Sequence, residues 1–163
     1  MEPPGSPGRE VEFLERTKDF SAAGWGRVLL LVFRTRSTAE GIERLHALAP
    51  SWAAARPGGV VLLNVVPPQP VRPPDEAMRA ALRRAMQDGS PEVAGVGTIF
   101  EGSVFVAAFV RALMAGLQRH SGGLPMRVLR SAAEAAGWAA ELVDGPEITA
   151  DGLSEAIRAV RRA

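Results

Sequence analysis

Cysteine is absent from this chain of 163 residues, which excludes a disulfide, a thiolate metal site and a cysteine nucleophile. Histidine is scarce as well, with two residues, and no spacing of histidine and carboxylate residues resembles a metal-ligand set. No cofactor motif occurs either. The sequence therefore predicts no metal site and no bound cofactor.

The chain also has almost no net charge, because it contains 19 basic and 18 acidic residues. Nucleic-acid binding needs a clustered basic face, so this balance argues against nucleic acid as a partner. Lysine is nearly missing, since Lys18 is the single lysine. The abundance of arginine, alanine, glycine and proline indicates GC-rich bacterial coding rather than a function that requires arginine.

Long apolar runs and a targeting signal are missing too. Val28–Phe33 and Val60–Val66 are far too short to span a bilayer. Met1–Gly8 is rich in proline and glycine and lacks the basic and apolar regions of a secretory leader. We therefore expect a cytoplasmic protein.

Strand and helix patterns alternate along the chain and predict an α/β fold. We expect a disordered tail over residues 1–10, an α/β domain over 11–145 and an amphipathic helix over 146–163. The sheet is predicted to be mostly parallel and four- or five-stranded, with an antiparallel edge strand and helices packed around it. Gly24–Gly26 is interpreted as a turn. The predicted strands are Val11–Arg16 at the edge, the buried runs Val28–Phe33, Val60–Val66 and Val93–Phe100, and a short strand at Pro125–Leu129.

Several helix starts carry recognisable caps. Ser37 with Glu40, and Ser131 with Glu134, have the spacing of a capping box. Asp75 is interpreted as the cap of another helix. Pro50 interrupts the helix that follows Ser37 and is expected to kink or divide it.

The segment Thr98–Leu117 joins a strand to a helix that is apolar almost all round, and such a helix is expected deep in the core. Its glycine turn places Glu101, Gly102 and Ser103 where α/β folds bind ligands, so these three are the ligand or regulatory candidates. Arg34 and Arg111 are the alternative partners considered for Glu101. Because a catalytic pair is missing, no catalytic residue is assigned.

Ser103 and the nearby glycines each have a structural interpretation that we favour. Ser103 is more simply a helix cap than a phosphorylation site, and it has no obvious base that would make it a nucleophile. Gly95 and Gly97 match neither the dinucleotide fingerprint nor the P-loop. We interpret them as small residues inside a strand that allow a helix to approach closely.

Two surface segments are the candidates for protein interaction. Pro67–Pro74, with Pro67, Pro68 and Arg72, is compatible with a polyproline docking segment, although a stiff linker is the favoured interpretation. Arg158 and Arg161 lie on the last helix, where a solvated face is favoured over a membrane-bound one.

The order of elements, with Gly26–Phe33 and Arg127–Trp138, resembles the STAS-like group of small bacterial proteins, which includes the SpoIIAA-like (STAS/SEC14) branch. The resemblance spans about Val11 to Val143. It implies a non-catalytic module that binds proteins or small ligands and is sometimes switched by serine phosphorylation. The family's phosphoacceptor turn follows the central strand, but here Val60–Val66 runs into Pro67–Pro74, which contains no serine or threonine.

Two functions follow as expectations. The first is a non-catalytic regulatory or protein-interaction module of the STAS-like type, with another protein or a second copy as partner and a membrane not expected. The alternative is a small-ligand-binding protein or enzyme that uses the strand-end cleft near Glu101–Ser103.

Overall fold

The computed structural model describes residues 10–68, 74–87, 91–101, 108, 111–112, 115–116, 119 and 122–163. Within these residues the chain forms one mixed sheet whose six strands lie side by side in chain order. The strands are β1 Glu12–Arg16, β2 Phe20–Trp25, β3 Val28–Phe33, β4 Val60–Val66, β5 Val93–Phe100 and β6 Met126–Leu129. β2 is antiparallel to both of its neighbours, β1 and β3, whereas β3 to β6 are parallel.

Four helices pack against this sheet in the described part of the chain. They are α1 Ala39–Ala54, α2 Glu76–Gln87, α3 Ala132–Val143 and α4 Ala150–Arg162. α1 and α2 cover one face of the sheet, and α3 and α4 cover the other, so each face has its own apolar cluster. Because side chains alternate along a strand, Leu29 and Leu31 belong to the first cluster and Leu30 to the second. A strand covered on both faces is apolar throughout, as β3 is.

The sheet has six strands rather than four or five because Phe20–Trp25 forms β2. The interpretation of Gly24–Gly26 as a turn was therefore wrong for Gly24 and Trp25, which pair with β3. The turn is the two-residue loop Gly26-Arg27, with φ of 56° at Gly26, as hairpins favour. Gly24 is required inside β2 because a Cβ there would overlap the Trp52 indole.

The interpretation of Gly95 and Gly97 as sites of close helix approach is confirmed. Both lie inside β5. A Cβ at Gly95 would stand 2.6 Å from Leu142 Cδ1, and one at Gly97 would stand 2.8 Å from Trp138 Cζ3. These positions allow α3 to lie closely against the sheet, so their role is in packing.

The helix caps agree with the sequence in two cases and differ in a third. Asp75 accepts a hydrogen bond from the Met78 N–H at 2.8 Å, and Ser131 accepts one from the Glu134 N–H at 3.2 Å, as predicted. At α1 the cap is Thr38 rather than Ser37, because Thr38 Oγ1 accepts from the Gly41 N–H at 3.1 Å.

Pro50 lies within α1, which continues from Ala39 to Ala54 and is not divided. Proline removes one backbone donor, and here it does so in the second half of the helix. Of the two expected effects of Pro50, a kink or a division, the division does not occur.

The helix predicted after β5 lies largely outside the described residues, including Phe105, Phe109, Leu113 and Leu117 of its apolar stripe. The residues described there are exposed, with a helical spacing: Ala108, Arg111, Ala112, Ala115 and Gly116. These described residues are therefore exposed, whereas the sequence predicts a helix covered on most sides.

α4 packs on the same sheet face as α3. Its buried residues Leu153, Ala156, Ile157 and Val160 follow helical spacing and join the cluster that contains Trp25 and Leu30. Among the described residues, no helix combines the length and the apolar character needed to cross a membrane.

Candidate functional site

The carboxyl ends of the four parallel strands meet at one edge of the sheet, where open α/β folds bind ligands. Arg34 follows β3, Pro67 follows β4, Glu101 follows β5 and Arg130 follows β6. We call these positions, together with the last turn of α4, the carboxyl edge.

Glu101 is held at the carboxyl edge from two directions. Its backbone N–H donates to the carbonyl oxygen of Val66 at 3.1 Å and so extends the pairing of β5 with β4. Its carboxylate forms an ion pair with Arg161, with 2.6 Å between Oε2 and Nη2. The Glu101 side chain is 36% exposed and that of Arg161 is 37% exposed, so the pair lies at the solvent boundary.

Arg34, one of the two partners considered for Glu101, is engaged elsewhere. Its Nε donates to the Thr17 carbonyl oxygen at 3.2 Å, and its Nη2 donates to Ser21 Oγ at 3.0 Å. These bonds fix the end of β3 to the turn between β1 and β2, and they satisfy a buried serine. The sequence did not suggest Arg161 as the partner of Glu101.

The other candidate residues are distributed as follows. Pro67 is half-buried and Pro68 is exposed. Arg158 is exposed, and its Nε donates to the Ser154 carbonyl oxygen of its own helix at 3.3 Å. Gly102, Ser103 and Arg72 lie outside the described residues. The structure therefore brings two of the candidates together, Glu101 and Arg161.

Asn64 and Thr98 are polar residues near this edge that sequence reasoning missed. They are direct partners in the pairing of β4 with β5. Each stands two residues from members of the α1–α2 cluster on its own strand, so both lie on that face of the sheet. Asn64 is 7% exposed, and its Oδ1 has no hydrogen-bond partner within the described residues. A single asparagine in the apolar run Val60–Val66 is the sequence signal that marks it.

Two side chains have pKa values shifted from their ordinary range, Glu76 and Arg56, and contacts within the fold account for both shifts. Hydrogen bonds from Arg79 and Arg83 on the same helix lower the pKa of Glu76. Partial burial lowers the pKa of Arg56, whose guanidinium lies 3.1 Å from the centre of the Trp52 ring. Neither arrangement pairs an acid with a base as catalysis requires.

Residue types that often act in catalysis are scarce among the residues that directly follow the parallel strands. No histidine, cysteine or lysine directly follows any of the four parallel strands. His46 belongs to the middle of α1, and His120 lies outside the described residues. Within the ranges that the structure describes, no group of three or more histidine or carboxylate residues could hold a metal ion.

Comparison with known proteins gives no match: no family model, no curated protein and no solved structure is similar to the chain. Its function is therefore inferred from the residues and their geometry.

Proposed function

We propose that the chain is a non-catalytic regulatory or protein-interaction module of the STAS-like type, acting in a bacterial cytoplasm, and that it binds its protein partner through the carboxyl edge. The Glu101–Arg161 ion pair is the observation that carries this proposal. Among the described residues that directly follow β4, β5 and β6, Glu101 is the one carboxylate, and the ion pair commits it to a structural contact.

The ion pair also connects the end of β5 to the end of α4. A partner that contacts this edge meets Pro67 and Pro68, which follow β4, and the arginines of the last helix. Arg158 is exposed, and Arg161 keeps more than a third of its side chain in solvent. Because arginine presents a planar fork of donors, these residues suit carboxylates on the partner's surface.

The proposed module differs at one position from a STAS-like domain that is switched by serine phosphorylation. The residues directly after β4 are Pro67 and Pro68, and neither has a hydroxyl group. The proposed module therefore recognises its partner without a phosphoacceptor at this turn.

Affinity capture tests this function. The wild-type chain and two variants would be immobilised and exposed to a lysate of the organism that encodes the chain. The edge variant carries Arg158→Glu and Arg161→Gln, and the control carries Arg83→Glu and Arg84→Gln on α2, with the same change in net charge. We expect one protein, retained in proportion to the bait, to be captured by the wild type and the control and lost from the edge variant. Equal capture by all three would contradict the proposal.

Asn64 supports the alternative of a small-ligand-binding protein or enzyme. Its Oδ1 is buried and has no partner among the described residues. Together with Thr98, which is paired with it in the sheet, it offers a polar contact beneath the carboxyl edge. Thermal stabilisation by a compound, abolished by Asn64→Leu, would favour this alternative. If the chain turns over a substrate and Glu101→Gln abolishes this turnover, the chain is an enzyme and the interaction module is refuted.

A further inference from the structure

The end of α4 carries three arginines, Arg158, Arg161 and Arg162, which we call the arginine cluster. They stand three and four residues apart, so they are neighbours on one side of the helix. All three are exposed, and the stretch Ala156–Arg162 contains no acidic residue. Cations at the end of a helix are stabilised by the helix dipole, so the function of the cluster depends on what its guanidinium groups contact.

Arg161 shows which chemical group the cluster accepts, because it already holds a carboxylate. Its Nη2 lies 2.6 Å from Oε2 of Glu101, which reaches the cluster from the end of β5. Arg158 and Arg162 form no ion pair with another described residue, and the Nε of Arg158 donates to the Ser154 carbonyl oxygen. One guanidinium group of the cluster is therefore occupied by a carboxylate of the chain itself, and the two beside it are not.

The carboxylate on Arg161 is held weakly. Both side chains of the ion pair keep more than a third of their surface in solvent, so water competes for both charges. Ion pairs with this exposure change an equilibrium by about 1.5- to fivefold. Because Glu101 lies at the solvent boundary, opening the pair leaves no buried charge. A ligand that makes several contacts with the cluster can therefore displace Glu101.

We propose that Glu101 fills the place of a partner's carboxylate in the free chain, and that an acidic segment of the partner protein displaces it from Arg161 while further carboxylates of that segment pair with Arg158 and Arg162. This inference rests on the proposed function, because it names the chemistry by which the partner recognises the carboxyl edge. Charge complementarity selects this occupant. The exchange breaks one ion pair and forms up to three, so it favours the partner.

Displacement can be measured on the chain itself with a synthetic peptide, hexaglutamate, and with hexaglutamine as the uncharged control. In an NMR titration at low salt, the side-chain carboxyl carbon of Glu101 and the Nε–H of Arg161 should both shift. The largest backbone shifts should fall on Glu101 and between Ala156 and Arg162. Hexaglutamine at the same concentration should cause none of these shifts.

Two matched variants separate displacement from a general effect of charge. Glu101→Gln should tighten hexaglutamate binding by about 1.5- to fivefold, because it removes the competing carboxylate. Glu43→Gln makes the same change in net charge and also breaks an exposed ion pair, with Arg84, but it lies on α1, which covers the other face of the sheet. It should leave the affinity unchanged.

Arg161→Gln identifies the residue through which Glu101 acts. This variant should bind hexaglutamate more weakly than the wild type, since it loses charge-assisted hydrogen bonds. In the Arg161→Gln background, adding Glu101→Gln should no longer tighten binding. A merely structural role of Glu101 would not produce a gain in affinity that depends on Arg161.

The inference is overturned if hexaglutamate at about 10 mM leaves the Glu101 carboxyl signal unmoved, because this concentration detects even very weak binding. It is also overturned if Glu101→Gln tightens binding no more than Glu43→Gln does. Failure of the proposed function gives a different result, namely equal capture of the native partner by the wild type and the Arg158→Glu, Arg161→Gln edge variant. Capture that depends on the edge, with no gain for Glu101→Gln, refutes the displacement alone.

Discussion

Glu101 and Arg161 form an ion pair across 2.6 Å although they are sixty residues apart in the chain. One follows the last residue of β5, and the other lies in the last turn of α4. The end of α4 therefore lies at the carboxyl edge, and the carboxylate that the sequence marks as a ligand candidate forms a contact between sheet and helix.

The strength of this ion pair can be measured by a double-mutant cycle. For Glu101→Gln and Arg161→Gln we expect a coupling of about 0.2–1 kcal/mol in the free energy of unfolding, because both side chains are partly exposed. Urea unfolding gives each value, and Arg158→Gln serves as the control that should not couple to Glu101→Gln. High salt should reduce the coupling. A coupling above about 3 kcal/mol would show that the pair is buried in solution.

The close approach of α3 to the sheet predicts opposite effects for two glycine substitutions. Gly97→Ala should destabilise the fold by about 1–3 kcal/mol, because its Cβ would stand 2.8 Å from both Leu63 and Trp138. Gly137→Ala should stabilise it by about 0.5–1 kcal/mol, since Gly137 lies on the exposed side of α3 and its Cβ would meet no described atom within 4 Å. Denaturant melts give the unfolding free energy of each variant. Equal changes in this free energy for the two variants would contradict the close packing of α3 on the sheet.

The position of the α1 cap gives a second matched pair. Thr38→Ala should cost about 0.5–2 kcal/mol, because it removes the acceptor for the Gly41 N–H. Ser37→Ala should change the unfolding free energy by no more than about 0.5 kcal/mol. Thermal melts of the two variants compare them directly. If Ser37→Ala lowers the unfolding free energy more than Thr38→Ala does, Ser37 is the cap of α1 in solution.

We expect Asn64 to destabilise the folded state. Asn64→Leu should leave the unfolding free energy unchanged or raise it, because a buried oxygen without a described partner is replaced by apolar atoms. Urea unfolding measures this effect. A loss above about 2 kcal/mol would show that Asn64 has a partner in solution, and it would favour the small-ligand alternative.

Asn64→Asp adds a pH dependence whose sign follows from burial. Burial raises the pKa of the introduced carboxyl group above its unfolded value, so the folded state holds its proton to higher pH. Stability of this variant should therefore be greatest at low pH and fall as the pH rises. The wild-type chain, measured in the same buffers, gives the reference dependence of the unfolding free energy on pH. If the variant shows the same dependence as the wild type, position 64 is open to water.

The sequence predicts the parallel part of the sheet well because its strands are buried on both faces. Val28–Phe33, Val60–Val66 and Val93–Phe100 were each predicted with the bounds that the structure has. β2 was missed because Ser21, Ala22, Ala23 and Gly24 are small and lack the branched side chains typical of strands. In the structure these residues pair with β1 and β3, and the Trp52 ring of a distant helix packs over Gly24.

The candidate site was predicted less completely, since it depends on contacts between distant segments. Glu101 was identified from its place after a strand, but its partner Arg161 could not be chosen among 18 possible arginines by spacing alone.

Hydrogen–deuterium exchange of the chain, free and bound to its captured partner, tests the central claim most directly. If the carboxyl edge is the binding surface, the partner should slow exchange around Val66, at Glu101 and in the last turn of α4. Exchange in the middle of α1 should remain unchanged. Slower exchange confined to the outer side of α1 and α2, with none at the carboxyl edge, would contradict the account.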